Sequence, residues 1–169
     1  PYREVLRGVI AGFGAELGFT PSEEELESLP ESVGNWPPFA DTVEALGRLA
    51  ERYRLVIVSN IDDAMFARTA ERLEVPFHEV VTAEQVGSYK PGLGHFHMAL
   101  ERLGVPPGEI LHVAQSVFHD HVPARSLGLA SVWVDRPSRC PGTGVAPATD
   151  LVPEVRVESL AELVERMEG

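Results

Sequence analysis

The run Leu55-Val56-Ile57-Val58-Ser59-Asn60 decides the fold. Four consecutive apolar residues without polar alternation read as a strand covered on both faces, which is a parallel-sheet signature. Ser59-Asn60 ends the strand, and Asp62 or Asp63 stands where a helix running to about Leu73 needs its cap. The same rhythm repeats outward. Upstream, Asp41 to Tyr53 has helical periodicity. Downstream come a short strand at Val80-Val81-Thr82 and a helix from about His95 to Leu103, closed by Gly104. A strand at Ile110 to Ala114 and a helix from Asp120 to Leu127 follow, then Gly128 and a strand at Ala130 to Val134. Arg136 to Val152, rich in Pro, Gly and Thr, is a loop, and Ser159 to Met167 is a last amphipathic helix. Alternating strands and helices predict a doubly covered parallel sheet, a Rossmann-like α/β core over residues 39–169. Right-handed crossovers place the carboxyl ends of its strands on one edge, where ligands bind in this architecture.

Residues 1–38 have another character. Val5, Val9, Phe13 and Leu17 recur four apart and make one stripe of an amphipathic helix over Tyr2 to Leu17, stopped by Gly18. Thr20-Pro21-Ser22-Glu23 supplies a cap residue, a Pro at the first helical position and a Glu at the third, which starts a short acidic helix through Leu29. Pro30 to Pro38 is a loop and the best internal boundary. Trp36, Pro38 and Phe39 beside it read as packing residues.

Composition narrows the function. Twenty-six acidic against 14 basic residues give a formal net charge of −12 in 169 residues, a surface that repels nucleic acid and anionic membrane. No apolar run approaches the roughly 18 residues of a membrane span. No secretory signal is visible, and the single Cys140 excludes a disulfide framework, so a cytoplasmic location is expected. Of the 14 basic residues 13 are Arg; Lys90 is the one Lys.

Four polar features fall at strand ends or in the loops beyond them. Ser59-Asn60 offers a hydroxyl, an amide and main-chain N–H groups as an anion cradle, or else merely begins a turn. Lys90 lies in Ser88-Tyr89-Lys90-Pro91-Gly92; a Lys kept in a chain that otherwise uses Arg suggests a need for a compact point charge. Gln115 and Ser116 follow the strand ending at Ala114, and Asp120 is placed to cap the next helix or to orient a site group. His119 and His121 diverge at a helix start and do not converge on one metal ion. His95 and His97 diverge likewise and read as a helix-surface pair. Cys140 has no local base to make it a nucleophile. Gly12-Phe13-Gly14 follows no strand, and Gly142-Thr143-Gly144 precedes no clear helix, so neither supports a dinucleotide site.

Taken together, Leu55 to Asn60, then Tyr89-Lys90-Pro91, then His112-Val113-Ala114-Gln115-Ser116 through Asp120, Ala124 and Gly128 resemble the haloacid dehalogenase superfamily of hydrolases. The helical piece, Pro37-Pro38-Phe39 and the ending Trp133-Val134-Asp135-Arg136 look most like its type II 2-haloacid dehalogenase branch. The resemblance implies that residues 1–38 are part of a helical cap. It implies that Ser59 and Asn60 bind substrate oxygens, with Gln115 and Ser116 beside them. It assigns Lys90 to pairing with a nucleophilic aspartate and Asp120 to positioning the Lys, the nucleophile or the attacking water. The implied chemistry is an aspartyl-ester intermediate hydrolysed by water. The segment supplying that aspartate, also the central strand of such a sheet, is expected ahead of Pro1. Magnesium phosphatases of the superfamily carry Gly-Asp where this chain has Ala114-Gln115, and a neutral amide is a poor ligand for a hard cation. No cofactor is therefore expected, magnesium entering only under the alternative of a phosphatase of a small phosphorylated metabolite. A catalytically silent binding domain is the further alternative. The expected partner is a small anionic substrate, and a homodimer is the one assembly entertained.

Overall fold

A computed structural model describes residues 1–136 and 146–169; Cys140 and Gly142-Thr143-Gly144 lie outside the described residues. The chain runs α1 (Tyr2–Leu17), α2 (Glu23–Ser32), α3 (Thr42–Ala50), β1 (Val56–Ser59), α4 (Asp63–Leu73), β2 (Glu79–Thr82) and α5 (Ala83–Val86). It continues through α6 (Gly94–Leu103), β3 (Leu111–Ala114), α7 (Val122–Ser126), β4 (Ala130–Val134), β5 (Val155–Val157) and α8 (Leu160–Glu168). Among the described residues, no helix is long and apolar enough to cross a membrane.

Every strand pairing is parallel, as continuous apolar strands joined by helices require. Val58 lies opposite Val81, Val113 opposite Val132, and Trp133 opposite Arg156. The strands form two pieces, β1-β2 and β3-β4-β5. Between them lies a cavity of about 820 Å³, walled by Val56, Ile57 and Val58 on one side and by Leu111, His112 and Val113 on the other. Two apolar clusters cover the larger piece: Val132, Val134 and Val157 against Leu163 of α8, and Phe96 with Ala124 and Leu129 beneath α6 and α7.

Several local expectations shift. The capping box of α2 sits two residues further on: Ser22 Oγ accepts from Glu25 N, and the Glu25 carboxylate accepts from Ser22 N. That helix also runs through Pro30, whose ring is fully buried, to Ser32. On α1 the apolar stripe Val5, Val9, Phe13 and Leu17 is exposed, and Leu6 and Gly14 face inward instead. Leu6 packs there against Val33 and Met65, and Arg3 and Arg7 pair with Glu23, Glu27 and Glu31. Trp36 and Phe39, read as packing residues, are more than half exposed; Trp36 donates Nε1–H to Ser32 Oγ, and Phe39 carries the Arg136 guanidinium on its ring. Strand β5 has no counterpart in the sequence reading. Three residues between Glu154 and Glu158 are too few to show a period, and β4 supplies the pairing that makes them a strand.

Asp62 precedes α4 as expected but does not cap it. Its carboxylate accepts from the main-chain N–H groups of Tyr2 (2.6 Å) and Arg3 (2.8 Å) at the start of α1. A residue 60 positions away thus satisfies the first donors of that helix and ties it to the carboxyl edge of β1. Asp41 does the same for α8: it accepts from Leu160 N and Ala161 N and also from both terminal nitrogens of Arg136.

Candidate active site

The carboxyl ends of β1 and β3 bring Lys90 and Asp120 together. Lys90 Nζ donates to Asp120 Oδ1 at 2.6 Å and to the carbonyl of Val58 at 2.8 Å. Both side chains are 9% exposed, so this is a buried ion pair. Lys90 reaches it because its main chain is clamped: Lys90 N donates to Asn60 Oδ1 (2.7 Å) and Asn60 Nδ2 donates to Lys90 O (3.1 Å). The Lys90-Pro91 peptide is cis.

Asp120 is not a helix cap. Ser116 is the residue that opens the turn, its Oγ accepting from His119 N, and Val117–His121 forms one wide helical turn ahead of α7. That turn carries Asp120 back over the end of β3. There Oδ1 takes a second donor, His112 Nε2, at 3.1 Å. Burial pushes the Asp120 carboxyl up, but the hydrogen bond from His112 and the Lys90 ammonium outweigh it and hold the group below the ordinary carboxylate range.

Two further histidines sit under this edge. His95 was expected on the helix surface and is fully buried instead, because α6 turns it toward the sheet, where its Nε2 lies 3.2 Å from the Ser59 carbonyl. His121 is also buried, between Ser131 Oγ (3.0 Å) and the carbonyl of Ala114 (3.0 Å). Burial lowers the pKa of both, and the nearby Lys90 charge lowers His95 further.

The other expected site residues are less concentrated. Ser59 lies where the large cavity meets a smaller one of about 280 Å³, which Tyr2, Trp36, Pro37, Ile61 and Arg72 also line. The Asn60 carboxamide holds the Lys90 main chain, leaving its own main-chain N–H as the group a ligand could use. Gln115 is exposed, and its carbonyl accepts from Trp133 Nε1. Ser116 Oγ is engaged with His119 Nδ1 at 2.9 Å. His119 and His121 point to different partners, Ser116 for the first and Ser131 and the Ala114 carbonyl for the second.

Sequence reasoning missed His112 and His95. The available signal for His112 was a single polar residue inside the apolar strand Ile110 to Ala114, eight residues before Asp120.

What this arrangement can do is hold one negative charge beside a fixed cation in a water-poor setting. One ammonium and one carboxylate, each with a direct partner, line the cavity between two sheet pieces. Charge that develops next to Lys90 is stabilised more strongly there than in water.

Residues 4–117 match the family model described as hydrolase, haloacid dehalogenase-like hydrolase. Over 102 residues, 59% of this chain and 42% of the relative, the sequence is 35% identical to "Haloacid dehalogenase-like hydrolase domain-containing protein 3" of Xenopus laevis. It is 27% identical to the (S)-2-haloacid dehalogenase of Pseudomonas putida over 150 residues, 87% of this chain and 63% of that one. A glyceraldehyde 3-phosphate phosphatase of Methanothermobacter thermautotrophicus matches at 32% over 101 residues, 58% of this chain and 45% of that one. The L-2-haloacid dehalogenase of Xanthobacter autotrophicus, solved with chloropropionic acid covalently bound, superposes with a TM-score of 0.85. It is 22% identical, over 99% of this chain and 76% of that one. The chain thus spans about half the length of the curated relatives it matches.

Proposed function

Because this chain belongs to the haloacid dehalogenase-like hydrolases, we propose that Lys90 and Asp120 serve a carboxylate-nucleophile hydrolase of the 2-haloacid dehalogenase kind. The observation that carries this reading is the buried Lys90–Asp120 pair opening onto the cavity between β1 and β3. Among the described residues β1 pairs only with β2, and β3 only with β4 and not with β1. An extended segment ending in an aspartate, laid between these edges, would pair with both strands and bring its carboxylate to the Lys90 ammonium. We place that segment ahead of Pro1.

In this mechanism the aspartate oxygen forms a bond to C2 of a small 2-haloacid as the carbon–halogen bond breaks and halide leaves. Water then attacks the ester carbonyl, gives up a proton, and releases the 2-hydroxy acid and the free aspartate. Lys90 offsets the negative charge on the nucleophile and on the tetrahedral intermediate. Asp120 orients Lys90 through Oδ1 and can take up the water's proton with its other oxygen. Ser59 and the main-chain N–H of Asn60 hold the substrate carboxylate, and Gln115 and Ser116 border it.

The phosphatase reading is favoured by the glyceraldehyde 3-phosphate phosphatases among the matched relatives. Its magnesium suits this edge poorly: Gln115 offers a neutral amide to a hard cation, and one oxygen of Asp120 already holds two donors.

Halide release from chloroacetate and 2-chloropropionate, by the polypeptide that includes the residues ahead of Pro1, tests the proposal with and without chelator. Chelator-insensitive release supports it. Phosphate release that chelator abolishes, without halide release, overturns it in favour of the phosphatase. A non-acidic residue at the end of the upstream strand, with neither activity, makes the protein a silent binding domain.

A further inference from the structure

His112 sits in the middle of an otherwise apolar strand segment, where an aliphatic side chain would cost less to bury. Its neighbour Val113 packs with the cluster under α8. The imidazole itself lies against Phe96 (centroids 5.1 Å apart, planes at 61°) and against His121 (6.4 Å, 71°). These two edge contacts, one from α6 and one from the turn after β3, fix the plane of the ring. In that plane Nε2 lies 3.1 Å from Asp120 Oδ1. A carboxylate only accepts, so Nε2 must carry a proton.

We infer that His112 is a positioning residue for Asp120, holding the carboxylate by one oxygen so that the other is presented in a fixed direction. Lys90 alone does not achieve this. A single donor on Oδ1 leaves the carboxylate free to swing about its Cβ–Cγ bond, and a lysine side chain itself has four rotatable bonds. A second donor on the same oxygen, from a strand rather than a flexible stem, removes that freedom. Oδ1 is then occupied from two directions, and Oδ2 is left for a proton or a water. The ionisable groups around the carboxylate are Lys90, His112 and His121, with His95 beyond Lys90. Of these, Lys90 and His112 contact it directly. The geometric assignment stands by itself, whereas its catalytic consequence rests on the hydrolase reading above.

Three measurements test it. The first is on the wild-type chain: ¹⁵N-histidine spectra at pH 7 resolve the tautomer of each of the six histidines. His112, assigned by loss of its signal in H112Q, is expected with its proton on Nε2. An Nε2 that carries no proton overturns the proposal.

The second follows the six aspartate carboxyls by ¹³C labelling, with Asp120 assigned through D120N. H112F is expected to weaken Asp120 as an acid by about three-fold or more, because a hydrogen bond to the charged form is lost. H112Q, whose amide can donate from the same place, is expected to stay within about two-fold. An unchanged Asp120 midpoint in H112F, or equal shifts in both variants, overturns the assignment.

The third is kinetic, on the longer polypeptide. H112F should lower kcat by about ten-fold or more with KM within about two-fold, as loss of orientation rather than of binding does. H112Q should recover most of it. Equal kcat in H112F and wild type refutes the catalytic consequence. If wild type turns over neither haloacid nor phosphate ester, the hydrolase reading has failed, and the first two measurements still decide the placement of His112.

Discussion

Replacing Lys90 with Met keeps an unbranched stem of similar length and removes the charge. The structure fixes what is left behind. Asp120 Oδ1 loses its 2.6 Å donor and retains the one from His112, and the Val58 carbonyl loses its 2.8 Å donor. Both members of the pair are 9% exposed, so water cannot simply replace the ammonium. Breaking a buried pair by removing one partner costs about 3–5 kcal/mol, because the surviving charge stays buried. The remaining His112 bond argues for the lower end, about 3 kcal/mol. For a chain of this size that corresponds to a loss of about 6–12 °C in Tm. The double replacement K90M/D120L removes both charges and should be more stable than K90M, since apolar substitutes for a whole buried pair are close to neutral, although His112 Nε2 and the Val58 carbonyl still lose their partners. Urea unfolding at pH 7 followed by circular dichroism, with calorimetry for Tm, measures both. A K90M variant as stable as wild type, or a double variant no more stable than K90M, refutes the account of a buried, mutually dependent pair.

Acid should destabilise the fold in two stages. His95 and His121 are held neutral, with folded pKa values below their unfolded ones, so the unfolded chain binds more protons as pH falls below about 6.5 and stability falls with it. Asp120 and Asp41 are also depressed; burial opposes the shift, but His112 and Lys90 for Asp120, and Arg136 and the start of α8 for Asp41, prevail. Their contribution is complete above about pH 4 and is lost as pH falls through the folded values. A Tm that is flat from pH 7.5 to 5.5, or an H95Q variant with the same slope as wild type there, contradicts the histidine stage. D62A should cost about 1–2 kcal/mol through loss of the two main-chain bonds at the start of α1. Hydrogen exchange should rise in the first turn of that helix, and unaltered exchange there would show that Asp62 does not secure it.

The readable part of the site was the part encoded by local grammar. Ser59-Asn60 ends a strand, Lys90 precedes a proline in a loop, and Asp120 follows a strand by six residues. Each of these is a position along the chain, and a parallel sheet turns such positions into one edge. Other features escaped because they depend on rotation about an element's axis. Spacing alone made Val5, Val9, Phe13 and Leu17 the inner stripe of α1, and it left His95 on the surface of α6. In the fold, Leu6 of α1 packs against Val33 and Met65 while Arg3 and Arg7 pair with α2, and α6 is turned so that His95 meets a strand carbonyl. A helical pattern gives a face; it does not say which neighbour will claim it.

Asp120 shows most clearly how a local rule yields to a tertiary one. As the cap of a following helix it would need only its own turn, and the sequence permits that. Ser116 takes the opening position instead, and the chain closes one wider turn before α7 begins. That extra width moves Asp120 from the helix start to a point above the end of β3, within reach of a lysine 30 residues earlier and a histidine eight residues earlier. A cap there would have stabilised one helix by about 1 kcal/mol. The observed placement instead joins Lys90, held through Asn60 by the end of β1, to His112 of β3 on the far side of the cavity. Among the described residues the two sheet pieces share no strand pairing, so this three-residue contact carries a polar link between them at the edge where the chemistry is expected.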